Sequence, residues 1–203
     1  MKHRLAIPVV IAALALGGMA ACGGNPEPEG PTPEELAEQA RQDSIAAAER
    51  ARQDSIAAAE AARRAREAEE AERLRAETAA ARQILEELIH FDYDRSEIRP
   101  DAEARLMSKL AVLRANPTVR IRIAGHADER GSVEYNLALG QRRAEAARDF
   151  LTRFGIDAGR IETTSFGEDR PLVNASNEQA WAQNRRDEFT IIAGGDQLRN
   201  PAQ

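Results

Sequence analysis

The sequence predicts an α/β fold, in which one mixed sheet carries helices on a face and follows a long helical tether. Residues 34–87 contain no Gly or Pro and are dominated by Ala, Glu, Arg and Gln, which favour helix. Over residues 88–195, helical periods alternate with short strands, which is the pattern of an α/β domain. Residues 196–203 are expected to form a tail.

The first 21 residues predict a signal segment. Lys2, His3 and Arg4 precede a mostly apolar stretch that is short for a membrane-spanning helix of roughly 20 apolar residues. Cys22 is the only cysteine, so no internal disulfide can form. The residues around it, Met-Ala-Ala before and Gly-Gly after, resemble a bacterial lipoprotein cleavage site. We expect cleavage before Cys22, acylation there, and an extended proline-rich linker over residues 22–33. An uncleaved membrane anchor is the alternative.

A capping box predicts where the tether helix begins. Thr32 can cap, Pro33 suits the first helical position, and Glu35 lies three residues after Thr32. A continuous helix from residue 34 to about residue 89 would be roughly 80 Å long. The sequence therefore predicts a single long helix between the linker and the domain.

An internal repeat of 11 residues lies within this helix, since residues 40–49 recur as residues 51–60. The apolar stripe is narrow, with Ile45 and Ile56 supported mainly by alanines. We interpret the segment as a solvated spacer. A weak parallel oligomer through the stripe is the main alternative, and a membrane-surface helix is disfavoured because the stripe lacks aromatic residues and leucines.

The domain is predicted to alternate helices with strands. The expected strands are 88–91, 119–124, 161–166 and 188–193, and the expected helices are 100–116, 133–154 and 178–184. In the second strand, Ile121 and Ile123 should face the core, with Arg120 and Arg122 opposite. The helix over 100–116 is expected to bury Ala104, Met107, Leu110 and Ala111. The helix over 133–154 is expected to bury Leu137, Gly140, Ala144, Ala147, Leu151 and Phe154.

One acid and one base stand out as candidates for a binding site. Asp128 lies in a glycine-containing loop between strand and helix, and Arg143 lies in that helix about 70° from the centre of its predicted buried stripe. Arg142 lies about 170° away and should face water. A carboxylate and a guanidinium placed in this way can hold a zwitterion. The alternative is an Asp–Arg pair that only pins the loop to the helix.

Other functional classes receive little support. The net charge is −6, and no basic patch with interleaved aromatics indicates a nucleic-acid partner. His126 has no second ligand cluster nearby, so we expect a structural hydrogen bond and no metal or cofactor. Arg185 and Arg186 are expected to be structural or rim charges. Acids at residues 92, 94 and 97 lack an activated nucleophile, so we expect no enzyme, with a hydrolase as the remaining alternative.

Several separated blocks carry a family resemblance. The run from residue 121 to residue 144, IRIAGHADERGSVEYNLALGQRRA, is joined by FDYDRSEI upstream and by SFGE, RP and NRR downstream. Together these blocks cover about half of the chain. In this order they resemble the OmpA C-terminal-like domain family and, within it, the peptidoglycan-associated lipoproteins (Pal).

The resemblance implies an α/β sandwich that binds peptidoglycan non-covalently. In similar proteins, residues at the positions of Asp128 and Arg143 hold the side-chain ammonium and carboxylate of diaminopimelate in the stem peptide. It further implies contacts at Asp94, Ser132 and Leu139, with Tyr93 in the wall. The lipid anchor would sit in the outer membrane, facing the periplasm, because Gly23 is not the Asp typical of inner-membrane retention.

The resemblance also implies a role in the Tol–Pal system, with a TolB-like partner on an overlapping surface. The long regular helix departs from typical Pal linkers. An OmpA-like module of a secretion or motor assembly, with the helix as its oligomerising element, is the alternative. Asp187 and Glu188 stand where similar proteins carry apolar strand residues, so the start of the last strand is expected to be altered.

Overall fold

A long helix opens the part of the chain that the computed structural model describes, which is residues 30–201. Helix α1 spans Pro33–Glu86 without interruption. Its capping box is formed as predicted, since the Thr32 backbone N–H donates to Glu35 Oε2 at 2.8 Å and the Glu35 N–H donates to Thr32 Oγ1 at 3.3 Å. The predicted signal segment 1–21 and Cys22 lie outside the described residues.

The domain that follows contains one mixed sheet and three further α-helices. Its elements are β1 (Ile89–His90), α2 (Pro100–Ala115), β2 (Arg120–His126), α3 (Val133–Arg153), a 3₁₀ turn (Ala158–Arg160), β3 (Ile161–Gly167), α4 (Glu178–Asn184) and β4 (Arg186–Ala193). The strand order is β1-β4-β2-β3, with β2 and β3 parallel and β4 antiparallel to β1 and β2. The predicted α/β class is confirmed.

Helix α3 approaches the sheet closely because two glycines meet. Ile121 and Ile123 are buried on the face of β2 that α3 covers, and Gly125 continues that face. A Cβ on Gly125 would overlap the backbone of Gly140 in α3, and a Cβ on Gly140 would clash with Ser165 Oγ. The absence of both Cβ atoms therefore sets the height of α3 and, one turn later, of Arg143.

The predicted buried faces of two helices are wrong in part. In α2, Ala104, Met107 and Ala111 are exposed, and the larger side chains of Leu106, Leu110 and Leu113 fill the core instead. The burial of greater apolar area decides which face turns inward. In α3 the buried face is displaced from the prediction, which leaves Leu137 and Phe154 partly exposed. Residues that are buried in its place are Asn136, Leu139, Arg143 and Phe150.

The hydrophobic core extends beyond the predicted domain limits of 88 and 195. Ala81 and Leu85 of α1 and Leu198 after β4 belong to the same buried cluster as the sheet residues. The Leu198 N–H also donates to Thr78 Oγ1 at 3.2 Å. By contacts, one compact unit begins at Ala59, inside α1, so the last turns of the helix and the segment after residue 195 are parts of the domain.

A buried lysine fastens the end of α1. Lys109 of α2 has no exposed surface, and its Nζ donates to the carbonyl oxygens of Ile84, Leu85 and Glu87 at 2.8, 2.8 and 2.6 Å. The last carbonyls of a helix have no partner within it, and Lys109 supplies one. Within residues 30–201, no helix is both long and apolar enough to cross a membrane.

Candidate functional site

The candidate site lies at one edge of the sheet, where three chain segments converge. Because β4 is antiparallel to β1 and β2, the ends of β1 and β2 meet the start of β4. A cavity of about 90 Å³ opens there between the loops after β1 and β2 and the first turns of α3. It is lined by five of the six predicted binding residues, namely Tyr93, Asp94, Asp128, Leu139 and Arg143.

Ser132, the sixth predicted binding residue, has a different position. It is the N-cap of α3, and its Oγ accepts a hydrogen bond from the Tyr135 N–H at 3.2 Å. Its side chain is therefore engaged in starting the helix, a contribution typical of serine at this position. Ser132 fixes the helix start that brings Tyr135, Asn136 and Leu139 to the cavity.

Arg143 forms the back of the cavity. It is fully buried, although it was predicted to lie about 70° from the centre of the buried stripe of α3. Its Nε, Nη1 and Nη2 donate to the backbone oxygens of residues 95, 126 and 92 at 2.8, 2.6 and 3.1 Å. Burial lowers the pKa of Arg143 to about 10, so the guanidinium is still charged at neutral pH. We call this group the rear wall of the site.

Asp128 is also buried, but it does not pair with Arg143. Its Oδ1 accepts from the backbone N–H and Nε of Arg130 at 3.1 and 3.0 Å. Its Oδ2 accepts from Arg130 Nη2 at 2.7 Å and Arg185 Nη1 at 3.2 Å. Burial favours the neutral acid, yet these hydrogen bonds outweigh it and hold the pKa of Asp128 below its ordinary value.

Arg130 occupies the entrance of the cavity. Its guanidinium carbon lies 3.9 Å from the ring centroid of Tyr93 and 4.2 Å from that of Trp181. Its Nη1 donates to Glu178 Oε2 at 3.3 Å. We call Arg130 and the two rings the mouth of the site. Neither Arg130 nor Trp181 was predicted to belong to the site, although the spacing of Asp128 and Arg130 permits an Asx-turn.

Arg185 was expected to be structural, and it reaches the site from the start of β4. Besides Asp128, it donates to the Phe91 carbonyl at 3.1 Å and to Glu178 Oε1 at 3.0 Å. Glu178 thus contacts both arginines that hold Asp128. No local pattern links Arg185 to Asp128 in the sequence, because the two residues meet only through the pairing of β4 with β2.

Asp94 adopts an uncommon backbone conformation beside the cavity. Its φ is 53°, in the left-handed region, which a short polar residue tolerates better than most. The Tyr135 hydroxyl donates a short hydrogen bond to Asp94 Oδ1. That bond to the carboxylate is the main reason why the pKa of Tyr135 is raised. Asp94 therefore presents its charge at the cavity with a partner on α3.

Two buried polar side chains lie behind the site without hydrogen-bond partners within the described residues. They are Asp187, which lies beside Gly125 and Ile89 in the sheet, and His126. Burial raises the pKa of Asp187 well above its ordinary value, against the opposing charge of Arg143. Burial, reinforced by Arg186, lowers the pKa of His126 to about 4. The prediction of a structural hydrogen bond at His126 is wrong. The centroid of its ring instead lies 5.5 Å from that of Phe166.

Known proteins resemble the chain over this same region. The OmpA family model matches residues 90–185. A peptidoglycan-associated lipoprotein of Brucella melitensis is 50% identical over 106 residues, which make up 52% of this chain and 62% of that protein. A peptidoglycan-associated lipoprotein of Pseudomonas putida is 42% identical over 114 residues, or 56% of this chain and 67% of that protein.

A solved structure shows the same fold. The crystal structure of the peptidoglycan-associated lipoprotein from Burkholderia pseudomallei matches with a TM-score of 0.50 and 38% identity, covering 51% of this chain and 88% of that one. The resemblance found in the sequence motifs is thereby confirmed. The chain matches 62% of the length of the Brucella relative. The residues that line the cavity, from Tyr93 to Arg143, lie within the range of the OmpA family model.

Proposed function

Because the chain belongs to the OmpA family, with the peptidoglycan-associated lipoproteins as its relatives, we propose that it binds peptidoglycan non-covalently through diaminopimelate. It would thereby link the outer membrane to the cell wall. The observation that carries the proposal is a small cavity bounded by one buried carboxylate, Asp128, and one buried guanidinium, Arg143. Opposite charges on one cavity suit the ammonium and carboxylate at the end of a diaminopimelate side chain.

Arg143 has hydrogen-bonding capacity left for a ligand. A guanidinium has five N–H groups, and three of those on Arg143 are given to backbone carbonyls. One N–H on each terminal nitrogen remains, so a ligand carboxylate can accept two hydrogen bonds from Arg143. The three carbonyls hold the side chain in place before the ligand arrives, so little side-chain freedom is lost on binding.

The remaining lining residues have complementary roles in the proposal. Asp94 adds a second negative charge for the ammonium, Leu139 supplies an apolar wall for the methylenes of the ligand, and Tyr93 covers the entrance. Ser132 acts through the main chain, by fixing the start of α3. The protein is a binding module in this proposal and catalyses no reaction.

Co-sedimentation with purified sacculi tests the function. The full chain carrying Cys22→Ser is the suitable reagent, because a fragment from residue 88 would lose Ala81 and Leu85 from the core. We expect the protein to sediment with sacculi and to be released by a soluble peptide containing diaminopimelate, but not by the same peptide with lysine in its place. Failure to sediment, or equal release by both peptides, contradicts the proposal. Release of soluble muropeptides from the sacculi would instead favour a peptidoglycan hydrolase.

The anchor is proposed at Cys22. Cys22→Ser should abolish incorporation of radiolabelled palmitate and release the protein from the outer membrane, because no other cysteine is present to accept the lipid. A variant that still carries the label would refute the lipoprotein interpretation. Fractionation of wild-type cells, with Gly23→Asp as a sorting variant, tests whether the anchor lies in the outer membrane.

Residues 34–87 were predicted to be a spacer, and we propose this role for the part of α1 that precedes the core residues Ala81 and Leu85. Ile45 and Ile56, the largest apolar residues of the 11-residue repeat, are 60% and 59% exposed, so the repeat buries no apolar core within the chain. The full Cys22→Ser chain should sediment as a monomer at micromolar concentration. A stable oligomer that Ile45→Gln and Ile56→Gln together dissociate would favour the assembly-module alternative.

The proposal extends to the Tol–Pal system through the family resemblance. A TolB-like partner would use a surface that overlaps the cavity, so this partner and a muropeptide should compete for the protein. Equilibrium titration of the chain with a purified TolB-like protein, with and without saturating muropeptide, measures this. Undiminished binding of the partner at saturation would contradict overlapping surfaces.

A further inference from the structure

Asp128 has no free acceptor position in this structure. A carboxylate offers about four lone-pair directions, and Asp128 accepts four hydrogen bonds, three from Arg130 and one from Arg185. Two guanidinium groups therefore donate to Asp128, and Glu178 pairs with both of them from the outside. An incoming ammonium can gain a hydrogen bond from Asp128 only if one of these donors withdraws.

Arg130 is the donor that can withdraw. The Arg185 side chain is 8% exposed and is also held by the backbone carbonyl of Phe91. The Arg130 side chain is 28% exposed and lies on the loop after β2, where Gly131 follows with a φ of 118°. Its contacts beyond Asp128 are side chains at the protein surface, which solvent can replace at low cost.

The position that Arg130 would vacate already has the form of a cation site. Its guanidinium lies against the rings of Tyr93 and Trp181, and both rings belong to segments other than its own loop. Aromatic faces attract a cation that is held against them. Tyr93 and Asp128 also line the cavity, so a ligand ammonium at this position would meet a ring and a carboxylate together.

We propose that Arg130 is an internal substitute for the ammonium of the ligand, so that binding exchanges one cation for another at Asp128. This inference rests on the proposed function and adds a regulatory step to it. The free protein keeps Asp128 neutralised, and the ligand must compete with a tethered guanidinium. Selectivity follows, because a ligand with a carboxylate but no ammonium has nothing to exchange for Arg130.

The test is the affinity of Arg130→Ala for a soluble muropeptide that contains diaminopimelate, in the full Cys22→Ser chain. If Arg130 closes the site in nine-tenths of the molecules, its removal should tighten the apparent Kd about tenfold. Arg130→Lys keeps the charge but loses the bidentate fork, so its Kd should lie between those of the wild type and of Arg130→Ala. Isothermal titration calorimetry measures all three affinities. Unchanged or weaker binding by a folded Arg130→Ala variant overturns the exchange.

Arg148→Ala is the matched control. Arg148 is 37% exposed, pairs with the neighbouring Asp149 at 3.6 Å, and lies five residues beyond Arg143 in α3, about 7.5 Å along the helix, without lining the cavity. The Arg148→Ala variant loses the same formal charge as Arg130→Ala, but outside the cavity. Its affinity for the muropeptide should stay within about twofold of that of the wild type. A gain equal to that of Arg130→Ala would assign the effect to net charge and overturn the exchange.

A second readout separates the exchange from the function on which it rests. Trp181 is the only tryptophan, it contacts Arg130, and it does not line the cavity as Tyr93 and Asp128 do, so its emission reports the departure of Arg130 and not the arrival of the ammonium. Emission of the Arg130-containing chain should change on saturation, and Arg130→Ala should show a much smaller change. Binding with no difference between the two emission changes overturns the exchange alone. Absence of binding in every variant overturns the proposed function and the exchange with it.

Discussion

The rear wall and the mouth of the site use the same residue type in opposite ways. Arg143 is fully buried and donates to backbone carbonyls from two segments, so its position is set by the fold itself. Arg130 is partly exposed and is held by carboxylates and aromatic rings. Backbone acceptors cannot leave without unfolding, whereas side-chain partners can be replaced. The site therefore combines a fixed guanidinium with an exchangeable one.

The largest expected effect comes from removing a charge that the ligand contacts. Arg143→Ala and Asp128→Ala should each weaken sacculus binding by at least about 30-fold, because loss of one partner of a desolvated charge pair typically costs about 2–5 kcal/mol. Quantitative co-sedimentation measures the loss. Removal of Arg130 is expected to strengthen binding, whereas removal of Arg143 is expected to weaken it. The direction of each change therefore tests the comparison between the rear wall and the mouth.

Folding must be separated from binding in these variants. Arg143→Ala leaves three backbone carbonyls without their donor, so its melting temperature should fall even if the cavity persists. Asp128→Asn keeps the shape of the side chain and provides the second variant. Wild-type affinity in a folded Asp128→Asn protein would contradict the assignment of Asp128 to the ligand ammonium.

A smaller effect is expected from the carboxyl group behind the rear wall. Asp187→Val should raise the free energy of unfolding at pH 7 by about 1–3 kcal/mol, because it removes a buried carboxyl group without a hydrogen-bond partner. Affinity should change by less than about threefold, because Arg143 is positioned by carbonyls and not by Asp187. Urea denaturation and calorimetry measure the two quantities, and a 30-fold loss of binding would show that Asp187 positions Arg143.

The same substitution predicts a change in pH dependence. The pKa of Asp187 is raised in the folded state, so the folded protein binds more protons than the unfolded chain above the ordinary value of 3.8. The free energy of unfolding should therefore fall as the pH rises from about 4 towards the raised pKa. The gain from Asp187→Val should be larger at pH 8 than at pH 4, and an equal gain at both would show that Asp187 titrates normally.

The smallest effect is expected at the neighbour of Arg143. Arg142 is exposed, and within the described residues it only approaches the Tyr135 ring, at 5.6 Å. Arg142→Ala should change sacculus binding by a few-fold at most, since it removes a charge that solvent screens. If Arg142→Ala and Arg143→Ala weaken binding equally, the distinction between the two arginines is lost.

The sequence predicted the elements of the fold more reliably than their orientation. Composition and the capping box placed α1 within a few residues, because these signals are local, and α4 has its predicted bounds. The inward face of α2 was predicted wrongly because α2 also packs against the end of α1. Lys109 is part of this contact, and its hydrophobicity would not predict that it is buried. Partners separated by more than 20 residues decide such positions, and periodicity carries no information about them.

The site was predictable where one motif carried it. Asp128 and Arg143 follow from the strand, loop and helix that contain them, and the structure brings both to one cavity. Arg185 and Trp181 come from the other end of the domain and reach the cavity only through strand pairing. The saturation of Asp128 by Arg130 depends on side-chain geometry. That information is absent from the sequence spacing.

The attachment of α1 by Lys109 also determines where the molecule would carry mechanical tension. If the proposed anchor pulls on α1 while peptidoglycan holds the cavity, the load enters the domain through the end of the helix, from Thr78 to Glu86. Three hydrogen bonds from Lys109 and the packing of Leu85 pass that load into α2 and the core. The short segment from Leu88 to Asp94 is relieved of it. The loop that bears Tyr93 would then keep its geometry under strain on the envelope.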